Sequence, residues 1–231
     1  MPVVVACFKW VVDEAYIRRG AGGALDLSSV DYKIGEYDRN AIEEAARLRD
    51  AGGGGSVIGV TVGGPDSAKG VKDGLSRGMD QAFFVSDPSF KDLEPSQTAA
   101  ILAEVILTRI PQFDLITCGE GSSDLYAQQV GPRLAELLRI PCVCFVQKLS
   151  LEGGKLTAER RVEDGIEVVE APLPALVTVL PDINTPRIPG VKDTLMAGKK
   201  PATTIKKEEL AGSFEGALKT EAMTASSLER T

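Results

Sequence analysis

Short, continuously apolar runs alternate along this chain with segments whose apolar residues recur at helical spacing. The runs are Val3–Phe8, Ser56–Val62, Ala82–Ser86 and Phe113–Cys118, and each reads as a strand covered on both faces. Between the first two, residues 38–50 (DRNAIEEAARLRD) put Ala41, Ile42, Ala45, Ala46 and Leu48 on one side of a helix, with Asp38 as N-cap and Gly52–Gly55 as the stop. A second helix, capped by Asp66 or Ser67, runs to about Arg77 and is ended by Gly78; a third covers Pro95–Thr108. Pro132 locates the fourth. Proline is harmless only in a first turn, where its missing N–H would have had no partner. That helix therefore begins at about Gln128 or Gln129 and continues to Leu138. Four strands alternating with helices predict an α/β fold, a doubly wound parallel sheet with its ligand crevice at the strands' carboxyl ends.

Other stretches depart from this rhythm. Residues 13–37 are rich in glycine and polar residues and suit a hairpin or excursion turning at Gly20, Gly22 and Gly23. After a fifth buried strand, 141–147, residues 148–171 read as a small β excursion with turns at Gly153-Gly154 and Asp164-Gly165. Residues 174–180 form a last buried strand. Beyond it lie prolines 181, 186, 189 and 201, so this part is expected to run as an extended C-terminal arm lying on another surface. Residues 212–231 suit a short helix or frayed tail. The expected organisation is a nucleotide-binding domain over 1–183 and an arm over 184–231, without internal repeats.

The loop after Cys118 carries the candidate chemistry. Gly119 to Asp124 is a run of turn residues, and the loop continues to the positive end of the Pro132 helix. Free N–H groups and the helix dipole there favour an anion such as phosphate. Gly119 and Gly121 permit close approach, while Ser122, Ser123 and Gln128 add neutral hydrogen-bonding groups. The loop has no lysine, so it is not a Walker-type loop. Four segments converge at this end of the sheet: Cys7–Trp10, Gly35–Asp38, Gly63–Pro65 and Gly119–Gly131. Together they favour a bound adenine nucleotide over an empty domain.

Composition narrows the field further. The chain has 231 residues, a net charge of −7 and no histidine. The acidic balance argues against a nucleic-acid surface, and no run is long enough to span a bilayer, so a cytoplasmic protein without membrane insertion is expected. Without histidine there is no Ser-His-Asp or Cys-His relay within the chain and no His-containing metal site. The four cysteines show no CxxC spacing. Cys142 and Cys144, two apart on one strand, have Cα atoms near the ~7 Å limit for a disulfide and read as small buried residues rather than redox groups. VGGPDS (62–67) invites comparison with the SGGxDS loop of ATP pyrophosphatases, but Val62 replaces the leading serine and the loop follows the second strand.

The segment AERRVEDGIEVVEAPLPALVT (158–178) resembles the signature of electron-transfer flavoprotein beta subunits. VVVACFKWVVD, AIEEAARL, GGP before a helix, LSRGMD, and FDLITCGEG followed by QVGP resemble the same family in the same order. DINTPRIPGVKDTLMAGKK is similar to its partner-docking segment, so the likeness spans about residues 3–205. GEGSSDLYAQQVG and DINTPRIP look most like the Fix-type members associated with carnitine and acyl-CoA metabolism.

This resemblance implies a non-catalytic electron carrier, not an enzyme, working as a heterodimer with an alpha subunit. Electrons would pass from flavin dehydrogenases to a quinone reductase or other acceptor. FAD would be shared with the alpha subunit, and the beta-subunit pocket would hold AMP or, in electron-bifurcating members that oxidise NADH, a second FAD. By position, the resemblance assigns the pocket to Cys7, Lys9, Gly35, Asp38, Gly63, Ser122, Ser123, Asp124, Gln128, Gln129, Val130 and Gly131. It places Tyr37 against the flavin, and Val191 and Leu195 as apolar anchors of a docking loop. Departures from the family pattern are Gly35-Glu36-Tyr37 in place of Asn-Pro-Phe/Tyr, Leu125-Tyr126 in a loop that bifurcating members write with an Asp-Thr pair, and a short tail. A stand-alone nucleotide-binding regulatory domain is the alternative from another class.

Overall fold

A computed structural model describes the chain except for residues 21–23, 28, 217, 219–220 and 222–231. Gly22 and Gly23, expected in the turn of the first excursion, lie outside the described residues. The strands are β1 (Val3–Cys7), β2 (Trp10–Val12), β3 (Arg18–Arg19), β4 (Leu25–Asp26), β5 (Tyr32–Ile34), β6 (Ser56–Gly63), β7 (Gln81–Ser86), β8 (Leu115–Gly119), β9 (Cys142–Glu152), β10 (Lys155–Val162), β11 (Gly165–Pro172), β12 (Ala175–Val179) and β13 (Ala202–Lys206). The helices are α1 (Glu36–Ala51), α2 (Ala68–Ser76), α3 (Pro95–Arg109), α4 (Val130–Leu138) and α5 (Val191–Ala197).

One nine-stranded sheet organises them, in the order β11-β10-β9-β12-β8-β1-β6-β7-β13. From β9 across to β13 the pairings are parallel, while β10 and β11 add antiparallel hairpins. The alternation of side chains along β1 shows why both faces must be covered. Val4 and Ala6 join Ala41, Ile42, Ala45, Val71 and Leu75 of α1 and α2. Val5 and Cys7 join Ile101, Leu102, Val105, Ile106, Leu134 and Ala135 of α3 and α4 on the other face. The order reverses at β1, which has β6 on one side and β8 on the other. A crevice forms where connections leave a doubly wound sheet in opposite directions, here between the carboxyl ends of β1 and β8. Among the described residues, no helix is long and apolar enough to cross a membrane.

The excursions fall where expected, in a finer pattern. Residues 10–34 make two small antiparallel pairs, β2 with β5 and β3 with β4. The β9–β10 turn uses Gly153 and Gly154 at φ +58° and +77°, a left-handed pair matching the twist of a two-residue hairpin. α1 begins two residues earlier than predicted, with Gly35 in the capping position instead of Asp38.

The proline-rich arm is the main correction. Through Lys206 it lies on the chain's own domain instead of reaching for another surface. β13 pairs in parallel with β7 along Ala202–Lys206, becoming the edge of the sheet. Lys200 Nζ donates to the carbonyls of Leu75 and Met79 at 2.8 and 2.6 Å, satisfying groups at the end of α2. Upstream, buried Asn40 of α1 donates to the carbonyls of Pro181 and Asn184 at 3.0 and 2.8 Å. Asn184 Nδ2 answers by donating to the Asn40 carbonyl at 3.0 Å and to Glu44 Oε2 at 2.9 Å. Arg187 donates to both carboxylate oxygens of Glu43, at 2.7 and 3.1 Å. Prolines leave a segment few backbone donors, so side chains of α1 provide the fastening. Asn40→Leu fits the volume but leaves the part-buried Pro181 and Asn184 carbonyls without their donor. It is expected to destabilise the chain by about 1–3 kcal/mol in chemical denaturation and to expose 181–187 to protease; an unchanged midpoint would contradict this fastening.

Candidate functional site

The crevice is held open at a defined width by one carboxylate. Asp38, in the first turn of α1, is buried, and its two oxygens accept from different strands' ends. Oδ2 takes the Lys9 N–H at 2.8 Å just after β1, and Oδ1 takes the Gly119 N–H at 3.2 Å at the end of β8. This is why Asp38 does not cap its own helix: its oxygens are engaged by other segments. Gly35 N–H donates to the Lys9 carbonyl at 3.1 Å, closing the loop between β1 and α1. Gly119 cannot carry a side chain here, because a Cβ would lie 2.6 Å from Asp38 Oδ1 and 2.7 Å from Tyr37 Cβ. Buried Thr117 adds a second tie, donating to the Ala41 carbonyl at 3.1 Å.

Across the crevice runs the loop that sequence singled out. Lys9 Nζ meets Asp124 Oδ2 at 2.6 Å, joining the end of β1 to the middle of this loop. Burial pushes the Asp124 pKa up, but the Lys9 ammonium, together with hydrogen bonds from Ser122 and the Leu125 N–H, holds that carboxyl below its ordinary value. Tyr126, at φ +46°, turns its ring onto the loop's own backbone: a Cβ on Gly121 would be 2.8 Å from it. The Tyr126 hydroxyl donates to Glu120 Oε1 at 2.6 Å, and the ring centroid lies 5.5 Å from that of Tyr37. The Glu120 carboxylate pushes the phenol up to about 12. Gln128 also has positive φ, +56°. Two bulky residues in the left-handed region mark a loop bent by its surroundings, a kind of strain found at ligand sites.

The loop delivers the tip of α4. Its first i→i−4 bond runs from Arg133 N–H to the Gln129 carbonyl, so the Val130 and Gly131 N–H groups precede the ladder, and Pro132 has none. The predicted start at Gln128 or Gln129 agrees, with Gln129 in the capping position. Gly131 is buried against β12, where a Cβ would fall 2.5 Å from Thr178 Cγ2. The Ser123 hydroxyl, 3.7 Å from where a Gly35 Cβ would sit, is buried without a hydrogen-bond partner. An unsatisfied buried hydroxyl and, in the same loop, a helix tip whose first N–H groups precede the ladder both fit an anionic, hydrogen-bonding ligand, and the phosphate of a nucleotide has that chemistry.

The predicted residues thus divide. Lys9, Gly35, Tyr37, Asp38, Ser122, Ser123 and Asp124 come together around the crevice, with Gln128, Val130 and Gly131 at the α4 tip. The Cys7 side chain instead packs beside Cys118 in the core under α3 and α4. The Gln129 carboxamide is turned away to accept from Arg133 at 2.9 and 3.0 Å. Gly63 lies one strand further along, its missing side chain leaving room for Ser67 Oγ, which a Cβ would meet at 2.6 Å. Val191 and Leu195 lie on α5, 81% and 70% exposed. Beside α5 runs a surface groove lined by Lys69, Lys72, Asp73, Ser76, Arg77, Pro189 and Thr194, none of which belongs to the crevice. Sequence reasoning missed Glu120, Tyr126 and Thr178 as parts of the site; only contacts across the fold reveal them.

Asp38 makes the site sensitive to pH. Burial raises its pKa from 3.8 to about 7, against the opposing pull of the Lys9 and Gly119 N–H groups. Between those values the folded chain keeps a proton that the unfolded chain has lost. The contribution of Asp38 to stability therefore declines as pH rises through that window and levels off above about 7, with a slope of at most ~1.4 kcal/mol per pH unit. Asp38→Asn, which cannot titrate, is expected to lack this decline. Denaturation midpoints of both proteins at pH 5 and 8 check it, and parallel changes in the two would refute the assignment.

A scan against protein-family models matches residues 23–210 to the electron transfer flavoprotein domain. The match takes in α1, the whole of the 119–131 loop, the β excursion and the arm through β13, and its members are electron carriers. On the strength of that coverage, this chain belongs to the electron transfer flavoprotein family.

Proposed function

We propose that this chain is the beta subunit of a heterodimeric electron transfer flavoprotein, holding AMP in the β1–β8 crevice and covering one side of an FAD carried mainly by an alpha subunit. The observation that carries the reading is the α4 tip, where the Val130 and Gly131 N–H groups precede the helical ladder, together with the unpaired Ser123 hydroxyl of the same 119–131 loop; both suit a phosphate. Asp38 fixes the distance between the crevice walls, and the Lys9–Asp124 pair closes one side. Tyr37, beside Tyr126, is the residue set against the flavin. The flavin, when bound, supplies the electron chemistry; the chain binds, orients and shields it. AMP is preferred to a second FAD because Leu125 and the Glu120-tethered Tyr126 take up room at the loop.

The donors fitting this reading are flavin dehydrogenases of acyl-CoA type, and the acceptor is a quinone reductase or similar protein. Exposed Ile188, Val191, Leu195 and Met196 form an apolar ridge beside the groove carrying Lys69, Lys72 and Arg77. A ridge of this kind next to positive charge suits transient docking on an acidic rim.

Small molecules released from the native heterodimer test the proposal. One flavin and one AMP per dimer is the expected result; two flavins, with bleaching by NADH, would replace it with the bifurcating reading, and no nucleotide at all would overturn both. Leu195→Ala is expected to slow electron transfer from the dehydrogenase roughly tenfold while leaving flavin content unchanged, since an exposed anchor contributes to docking alone. Loss of flavin from that variant would count against the docking role.

A further inference from the structure

The cysteines of β9 do not behave as the buried packing residues their spacing suggests. Cys142 and Cys144 are both half-buried, and their sulfurs lie 3.6 Å apart, within thiol–thiol hydrogen-bonding distance. A bulge explains the approach. Against β12, Val143 pairs with Val177 and Val146 with Val179, so Cys144 and Phe145 together oppose the single residue Thr178. Phe145 takes φ +62°, its ring faces solvent, and its N–H, lost to the ladder, donates to Thr178 Oγ1 at 3.1 Å. That arrangement leaves the Thr178 hydroxyl proton free to point at Cys144. The two thiols are then made unequal: the Cys142 thiol stabilises a Cys144 thiolate, as do the Thr178 hydroxyl and the Arg160 charge. These outweigh burial and lower the Cys144 pKa to about 6, while Cys142 is pushed upward. A thiolate beside a neutral thiol, both reachable from solvent, is the arrangement of a nucleophile with its resolving partner.

We propose that Cys142 and Cys144 form a redox-responsive dithiol, in which Cys144 attacks a hydroperoxide and Cys142 closes a disulfide across the β9 bulge. In the first step the Cys144 thiolate attacks the terminal peroxide oxygen and breaks the O–O bond, becoming a sulfenic acid, while the departing oxygen takes a proton from solvent and leaves as an alcohol, or as water from hydrogen peroxide. In the second, the Cys142 sulfur attacks that sulfenic sulfur and expels water, its own proton leaving with the departing oxygen. Two thiols are oxidised by two electrons and one hydroperoxide is reduced by two. The sulfurs must close from 3.6 Å to the ~2.05 Å of a disulfide, a movement the bulge permits by side-chain rotation. A ring this short is strained and easily reduced, which suits a reversible switch. Its position is telling, because Thr178 touches both Cys144 and the Gly131 tip of α4. The inference stands apart from the nucleotide reading.

The reduced full-length chain is treated with hydrogen peroxide, denatured, alkylated with iodoacetamide and digested with trypsin. The peptide Ile140–Lys148 should appear unalkylated and about 2 Da below its reduced mass, with Cys7 and Cys118 still alkylated. In Cys142→Ser, Cys144 should stop at the sulfenic acid and be trapped by dimedone. Cys144→Ser should slow oxidation of Cys142 about tenfold or more. The proposal fails if both thiols of the peptide remain alkylatable, if Cys7 or Cys118 is consumed first, or if Cys144→Ser reacts as fast as the native chain.

Discussion

Two backbone N–H groups 110 residues apart in sequence share one buried carboxylate, and the crevice between the ends of β1 and β8 is built around it. Parallel strands diverge at a topological switch point, so nothing in the ladder itself sets how far apart the ends of β1 and β8 should stand. Asp38 supplies that constraint by accepting from Lys9 and Gly119 at once. Its burial is costly for a charged group and is tolerated since both oxygens find donors, while the helix start nearby favours negative charge. The glycine at 119, the capping glycine at 35 and the ion pair of Lys9 with Asp124 all follow from letting α1 come this close.

How much of this the sequence revealed depended on whether the governing interaction was local. The core strands and helices were legible in the apolar rhythm, and Pro132 located the α4 start to within two residues, because proline's constraint acts within a single turn. The position of that helix tip at the end of the 119–128 loop was legible for the same reason. Asp38 was read as a cap, as an aspartate at a helix start invites, and only the fold brings Lys9 and Gly119 to it. Tyr126 and Glu120 gave no signal, since their pairing needs the loop's left-handed turn. The β9 bulge was equally invisible. Regular strand spacing keeps Cys142 and Cys144 apart, and the extra residue opposite Thr178 depends on how β12 registers against β9.

The arm illustrates the opposite lesson. Counting its prolines correctly identified a segment unable to build a core, but composition does not say which surface it will use. The surface is its own: Asn40, Glu43 and Glu44 of α1 hold residues 181–187, and β7 offers an edge for β13. The exposed apolar residues of α5 rest on a different helix, α2, whose end Lys200 caps.

A chain lacking histidine has surrendered the side chain that ordinarily buffers near neutrality. Proton uptake there must come from carboxyls and thiols moved out of their usual ranges, and Asp38 and Cys144 are moved into it from opposite directions. Both stand toward the carboxyl ends of the parallel strands, Asp38 hydrogen-bonded to Gly119 at the end of β8 and Cys144 to Thr178 near the end of β12. Acidity in the surroundings is thereby registered close to the carboxyl ends of the parallel strands.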